Sequence, residues 1–381
     1  MASRFDVWLA DRLAEIESAG LRRELRVVDS AQGRVVRREG RELVNFSSND
    51  YLGLAADQRL RDAAKAAIDE FGVGAGASRL ISGTLRPVVD LEERLAAFKR
   101  TEAALTFSTG YATALGTVTA LAGAGDVLIL DKLCHACLVD AARLSGATLR
   151  IFPHNDVAKL ESHLRWAREK RADARVGVLT ESVFSMDGDS APLREIVELK
   201  DRFGAWLLVD EAHSIGVCGE GGRGLADEVE VADRIEVQMG TLGKALGASG
   251  GYVAGSRRLV DLLVNRARSF IFSTAPVPAA AAAAGEAVRL LMAGELEVNR
   301  ARLWKSVREI SSDAASAIIP VMIGDERAAG AAAERLLGAG YWVPAVRYPT
   351  VARGAARLRL TVGALHRPGD IAGVKVALAS G

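Results

Sequence analysis

Lys244 stands in the stretch QMGTLGKALGASGGYVAG, residues 238–255, among small uncharged neighbours, with Glu236 and Arg257 as the nearest other charges. One long cation in so neutral a setting admits three readings: a phosphate clamp, a covalent amine nucleophile or a solvated loop lysine. The phosphate-loop pattern G-x-x-x-x-G-K-[ST] fails, because Gln238 stands where its first glycine belongs and Ala245 where Ser or Thr belongs. An amine nucleophile must be neutral when it attacks, and weakly solvated surroundings lower a lysine's pKa. Small neighbours also let a flat cofactor approach the backbone.

Two further motifs are weighed and set aside. CHAC, residues 134–137, has metal or redox spacing, but a distant Cys218 does not complete four zinc ligands. It opens a helical stretch where cysteine packs as a small hydrophobe, so no metal site is expected. GEGGRG, residues 219–224, lies too far beyond the strand ending near Asp210 to be a dinucleotide fingerprint, and is expected to be a flexible loop.

An amine-bound cofactor such as pyridoxal phosphate needs three more parts. A carboxylate must keep its ring nitrogen protonated, so that the ring acts as an electron sink, and Asp210 in LLVDEAH is placed for that. A phosphate cradle is best made of backbone amides at a helix start. FSTGYATALGTVTAL, residues 107–121, offers Gly110 and Tyr111 there. An imidazole face against the ring is available from His135.

These residues need a scaffold, and the apolar pattern supplies one. Short apolar runs recur at 126–131, 148–152, 175–182, 205–213, 234–244 and 250–255, with helical stretches such as 136–145 and 191–204 between them. Strand, helix, strand at this spacing predicts an α/β fold with a mostly parallel sheet, whose ligands bind at the carboxyl ends of the strands. Ser185, Asp210 and Lys244 each follow such a run. The Ala-rich run 279–284 behind Pro276 and Pro278 reads as a helix start, and 316–324, 341–348 and 356–363 are strand candidates of a smaller C-terminal α/β unit. The expected division is an N-terminal helix and arm (1–45), a large domain (46–284) and a small domain (285–381).

Composition narrows the class. The 381 residues are 49% hydrophobic and 25% charged, with a net charge of +1, so no bulk field favours nucleic acid or an acidic membrane. No apolar run reaches the ~18 residues of a membrane span. The first 26 residues, interrupted by charges, read as an amphipathic helix and not as a leader. Three cysteines, an odd count, fit a reducing compartment, so a cytoplasmic location is expected.

VDEAH followed about 30 residues later by TLGKALGASGG resembles the fold-type-I pyridoxal phosphate enzymes. Within that group NFSSNDYLGL (45–54), GAGASRLISGT (74–84), CHACLVDAA, HNDV (154–157), ESVFSMDGDSAPL (181–193) and ARLRLT (356–361) resemble the α-oxoamine synthases, over almost the whole chain. That family joins an amino acid to an acyl thioester with loss of carbon dioxide. The resemblance implies that Lys244 holds the cofactor covalently and later serves as a base. It implies that Asp210 pairs with the pyridine nitrogen, His213 and Ser185 with the ring hydroxyl, and that His135 stacks on the ring. Gly110, Tyr111 and Thr241 bind the phosphate, with Thr274 reaching in from a second subunit of a homodimer. Asn49 and Arg359 hold the amino acid carboxylate, Ser78 lies beside its α-carbon, and Arg22, Arg347 and Thr350 belong to the substrate set. The implied substrates are L-alanine and a pimeloyl thioester, carried on CoA or on a carrier protein. RYPTVARG, residues 347–354, is more similar to glycine-using members, so a glycine-dependent 5-aminolevulinate or 2-amino-3-ketobutyrate synthesis is the alternative.

Overall fold

The computed structural model describes residues 3–380. The chain opens with a helix, Arg4–Ser18, whose first turn is closed by a reciprocal Ser3–Asp6 capping box and which buries none of its side chains. Two antiparallel strands follow, β1 (Val35–Arg38) and β2 (Arg41–Asn45). The centre of the molecule is a seven-stranded sheet of β3 (Ala103–Phe107), β4 (Val127–Asp131), β5 (Thr148–Phe152), β6 (Val176–Glu181), β7 (Trp206–Asp210), β8 (Val237–Thr241) and β9 (Gly251–Gly255). Its spatial order is β3-β9-β8-β7-β6-β4-β5. The run from β8 to β5 is parallel, and β9 lies antiparallel between β3 and β8.

The apolar runs found in the sequence are these strands. Every residue of β4 and β6 is buried, as a parallel sheet covered by helices on both faces requires. The covering helices are amphipathic: Leu193–Arg202 buries Leu193, Ile196, Val197 and Leu199 at helical spacing. The register sets Glu181 opposite Asp210, and Asp210 opposite Met239. The carboxyl ends of β6, β7 and β8 are therefore level, and the turns that leave them converge.

A smaller antiparallel sheet carries β10 (Ile318–Gly324), β12 (Ala345–Val346) and β13 (Ala356–Thr361), in the order β10-β13-β12. The intervening strand, β11 (Tyr341–Trp342), pairs in parallel with β2. The arm at 35–45 thus joins the C-terminal part of the chain. The stretch 341–348, expected as one strand, is two short ones, because Pro344 has no N–H to give and its carbonyl instead accepts from Arg359 N at 3.0 Å. The division expected at 284/285 falls inside one continuous helix, Pro278–Met292, which begins at a proline in its first turn and buries Ala281, Ala284, Gly285 and Ala287.

The glycine-rich segment 219–224 is not a flexible loop. It forms a short 3-10 turn, Glu220–Gly222, with Gly222 against Gly216. Gly224 has φ of +117°, and a Cβ there would lie 2.3 Å from the Glu211 carboxylate. These glycines permit close approach. In CHAC, Cys134 and Cys137 are buried, unpaired thiols. Among the described residues no helix is long and apolar enough to cross a membrane.

Candidate active site

Lys244 is half-buried in the tight turn that links β8 to β9, where its own carbonyl accepts from Gly247 N. Its Nζ lies 2.8 Å from Nε2 of His213. His213 is buried in the turn after β7, and its Nδ1 lies 2.6 Å from the hydroxyl of Tyr51. That hydroxyl also lies 3.3 Å from Asn49 Oδ1, and Asn49 Oδ1 accepts from Arg359 Nη2 at 3.1 Å. Arg359 is buried on β13 and donates from Nε to the carbonyl of Ser185 at 2.6 Å. Polar contacts therefore run Lys244–His213–Tyr51 and Asn49–Arg359–Ser185, and the 3.3 Å approach of Tyr51 to Asn49 brings the two runs together. Together they join the end of the large sheet to the small one.

The surroundings shift the amine toward its neutral form. Burial pushes the Lys244 pKa below the ordinary lysine range, and Asp210 and Glu181 oppose that shift without contacting it as partners. Burial, then Lys244 and Arg359, hold His213 well below the usual imidazole range, so the imidazole is neutral. Burial lifts the Tyr51 phenol to about 12, so it keeps its proton. The shorter of its two contacts assigns that proton to His213 Nδ1. The imidazole N–H then sits on Nε2, facing the lysine amine.

Asp210 ends β7 with its side chain buried. One oxygen accepts from Ala212 N at 2.9 Å, and among the described residues no cation pairs with it. Burial pushes its pKa up, and Lys244 opposes that shift. A buried carboxylate that lacks a cationic partner fits a ring nitrogen that carries a proton. The phosphate end fits as well. Helix Gly110–Leu121 is capped by the Thr109 hydroxyl, which accepts from Ala112 N and leaves the first amides, of Gly110 and Tyr111, free for an anion. A Cβ at Gly251 would lie 2.4 Å from Thr113 Oγ1 and 2.8 Å from Gly110 Cα, so only glycine lets β9 pass this helix start. Thr241 is the nearest side chain to a Cβ built on Gly110, at 3.7 Å.

His135 caps helix Ala136–Ser145, its Nδ1 accepting from Cys137 N at 3.2 Å. Its own N–H donates to Glu181. Desolvation lowers its pKa against the pull of Asp210, which favours a neutral ring. Burial and the neighbouring Asp210 push Glu181 up to about 8.

Tyr51, inside NFSSNDYLGL, and Glu181, at the head of ESVFSMDGDSAPL, carry no role that the sequence assigns them. Nothing in local spacing announces either. The contact from Tyr51 to His213 spans 162 residues.

Other expected residues lie elsewhere in the hydrogen-bond pattern. Ser78 and Thr274 form a β-bridge with each other in the same chain. Arg347 donates to the Gly20 carbonyl at 3.5 Å, Thr350 N bonds Arg347 O, and the nearby Arg22 pairs with Glu17 on the surface. This second group borders the N-terminal helix.

The sequence model of the family described as "Aminotransferase class I and II" matches residues 41–374. The chain belongs to that family, in its α-oxoamine synthase branch. The 8-amino-7-oxononanoate synthase of Geobacter sulfurreducens is 47% identical over 97% of this chain and 97% of that protein. The enzyme of the same name from Methylorubrum populi is 44% identical over 99% and 95%. Among solved structures, serine palmitoyltransferase of S. paucimobilis with bound pyridoxal phosphate and myriocin superposes with a TM-score of 0.91. It is 30% identical and covers 99% of this chain and 97% of its own. An 8-amino-7-oxononanoate synthase from Francisella tularensis gives 0.73 at 25% identity, covering 89% and 97%. The fold is that of the fold-type-I pyridoxal phosphate enzymes, and the family depends on that cofactor.

Proposed function

We propose that this protein catalyses the decarboxylative condensation of L-alanine with a pimeloyl thioester, giving 8-amino-7-oxononanoate, carbon dioxide and free thiol. The reading is carried by the polar contacts from Lys244 to Arg359, in a protein 47% identical along nearly its full length to an enzyme named for that product.

Lys244, Asp210, His213, Ser185, His135, Thr241 and the Gly110 and Tyr111 amides would hold pyridoxal phosphate. Bound there, the cofactor supplies an electron sink for charge that develops on the α-carbon of the amino acid. The chain's own groups do the rest. Arg359, backed by Asn49, binds the amino acid carboxylate and orients the α-proton. The Lys244 amine, neutral and steered by the His213 N–H, takes that proton and returns it after carbon dioxide has left, one base serving twice. Asp210 would keep a proton on the cofactor's ring nitrogen, and so support its role as an electron sink. Arg22, Arg347 and Thr350 receive the acyl substrate, and Ser78 leaves space for the methyl of alanine.

The protein is further read as a homodimer in the cytoplasm. Leu80, Ile81, Phe272 and Val277 are exposed apolar side chains around the Ser78–Thr274 bridge. A second copy covering them would carry Ser78 and Thr274 to the partner's site. Sedimentation of the active protein checks this, and a fully active monomer rejects it. The reaction is tested by mixing purified protein with each amino acid and each acyl thioester while following free thiol and carbon dioxide. Alanine with pimeloyl thioester should turn over fastest. Faster turnover with glycine would hand the site to the glycine-dependent alternative.

A further inference from the structure

His154 lies outside these polar contacts, yet both of its ring nitrogens meet carboxylates. Nδ1 is 3.1 Å from Asp131 Oδ1, and Nε2 is 2.7 Å from Asp189 Oδ2. A carboxylate oxygen only accepts, so both nitrogens must donate, and the ring must be an imidazolium. It packs edge-on against Phe184 at 4.3 Å. Among the described residues no other titratable group contacts it, and the Asn155 amide nitrogen lies 3.3 Å from Nε2. Asn155 donates to Asp189 Oδ2 and to the Ser190 carbonyl, both at 3.1 Å. Asp189 Oδ1 and Asn155 Oδ1 are buried acceptors without a donor among the described residues, which adds negative potential around the ring.

The two aspartates belong to the two loops that build the cofactor's surroundings. Asp131 ends β4, and its Oδ1 accepts from Leu133 N at 2.7 Å, two residues before His135. Asp189 lies in the loop after β6 that holds Ser185. The far side of that loop is gripped by β13 and its neighbours: Arg359 on the Ser185 carbonyl, Arg357 on the Met186 carbonyl and Asp187, and Ser316 on the Gly188 carbonyl. Gly188 cannot carry a Cβ, which would meet the Ile318 carbonyl at 2.1 Å.

We propose that His154 is a positioning residue, a charged strut that fixes the His135 loop against the Ser185 loop and thereby sets the placement of Ser185 and Arg359. The proposal rests on the active-site reading above. Burial alone would lower the His154 pKa, but its hydrogen bonds to Asp131 and Asp189 outweigh it and raise it to about 10. The sign follows: the folded state holds a proton that the unfolded chain loses near the ordinary histidine value. The strut's contribution is full below about pH 6.5 and is lost as pH rises toward 10.

His154→Gln removes the charge and one of the two bonds. Its Michaelis constant for the amino acid should rise about tenfold, the scale of one lost charge-assisted hydrogen bond, with a smaller change in kcat. The visible circular dichroism of the bound cofactor should change. The fall in Tm of the wild type between pH 7 and 10 should flatten in the variant. Asp189→Asn, at a half-exposed position, should show the same pattern in weaker form and guards against a misfolded first variant. Variants that melt lower but keep the wild-type KM and dichroism would reduce His154 to a structural residue and overturn the proposal, as would an unchanged pH slope. A wild type that ignores alanine breaks the proposed reaction alone, since the dichroism and the melting slope still decide on the strut.

Discussion

Asp210 and Glu211 are successive residues, and a lysine serves each in a different way. Beside Glu211, Lys99 is fully withdrawn from water, paired with the carboxylate and bonded to the Arg223 carbonyl. Glu211 is satisfied as well, accepting from Ala226 N at 3.0 Å and from Ser214 at 3.3 Å. On the Asp210 side, Lys244 is half-buried and touches a neutral imidazole, with no carboxylate in contact. Full pairing makes Lys99 a bolt between helix Arg86–Lys99, the end of β7 and the glycine-rich turn. Withholding a carboxylate partner, while burial lowers the pKa, leaves Lys244 an amine able to react. The residue type is shared, and the partner decides the role.

The sharpest way to break this contrast is to remove each lysine. Lys244→Ala should lower turnover by on the order of 10²–10⁴-fold with little loss of stability, since no ion pair is broken. Steady-state thiol release and a urea melt measure the two sides, and a Lys244→Ala protein with full turnover ends the comparison. Lys99→Met should show the reverse, losing about 3–5 kcal/mol because it strands a buried carboxylate. The double variant Lys99→Met with Glu211→Gln should recover most of that loss. If the single variant melts like the wild type, Lys99 is no bolt.

A smaller effect sharpens the Lys244 side. Tyr51→Phe leaves His213 Nδ1 without its donor and should cost about 1–3 kcal/mol of stability, together with a slower reaction. Unchanged melting and rate would show that the phenol does not set the tautomer. The smallest effect is in pH. His213 is kept neutral, whereas the unfolded chain takes up a proton near pH 6.5, so its contribution is present above that pH and lost as pH falls below it. Urea melts at pH 5 and 7 should differ in that direction, and His213→Asn should reduce the difference.

Much of the scaffold was legible. Apolar runs of strand length between amphipathic stretches located β7, which ends on Asp210, and the strands β6 and β8 that precede Ser185 and Lys244, because burial on both faces makes such strands predominantly apolar. The failures share a cause. Segment 219–224 looked flexible because glycine permits both motion and close packing, and only the Glu211 carboxylate pressed against Gly224 distinguishes them. β2, within the expected N-terminal unit 1–45, pairs with β11, which comes some 300 residues later in the chain and so leaves no local signal.

By itself the sequence determined the reactive types and their order: a lysine among glycines, an aspartate at a strand end, a helix start with bare amides. Short-range periodicity and glycine placement are local properties, so they can be read locally. Tertiary structure decided the partners. Tyr51 met His213, Arg359 met Asn49, and His154 came to lie between Asp131 and Asp189 only when distant segments closed on one another. A side chain's pKa, and with it its role, depends on which groups surround it in space, and that is fixed by closure of the fold.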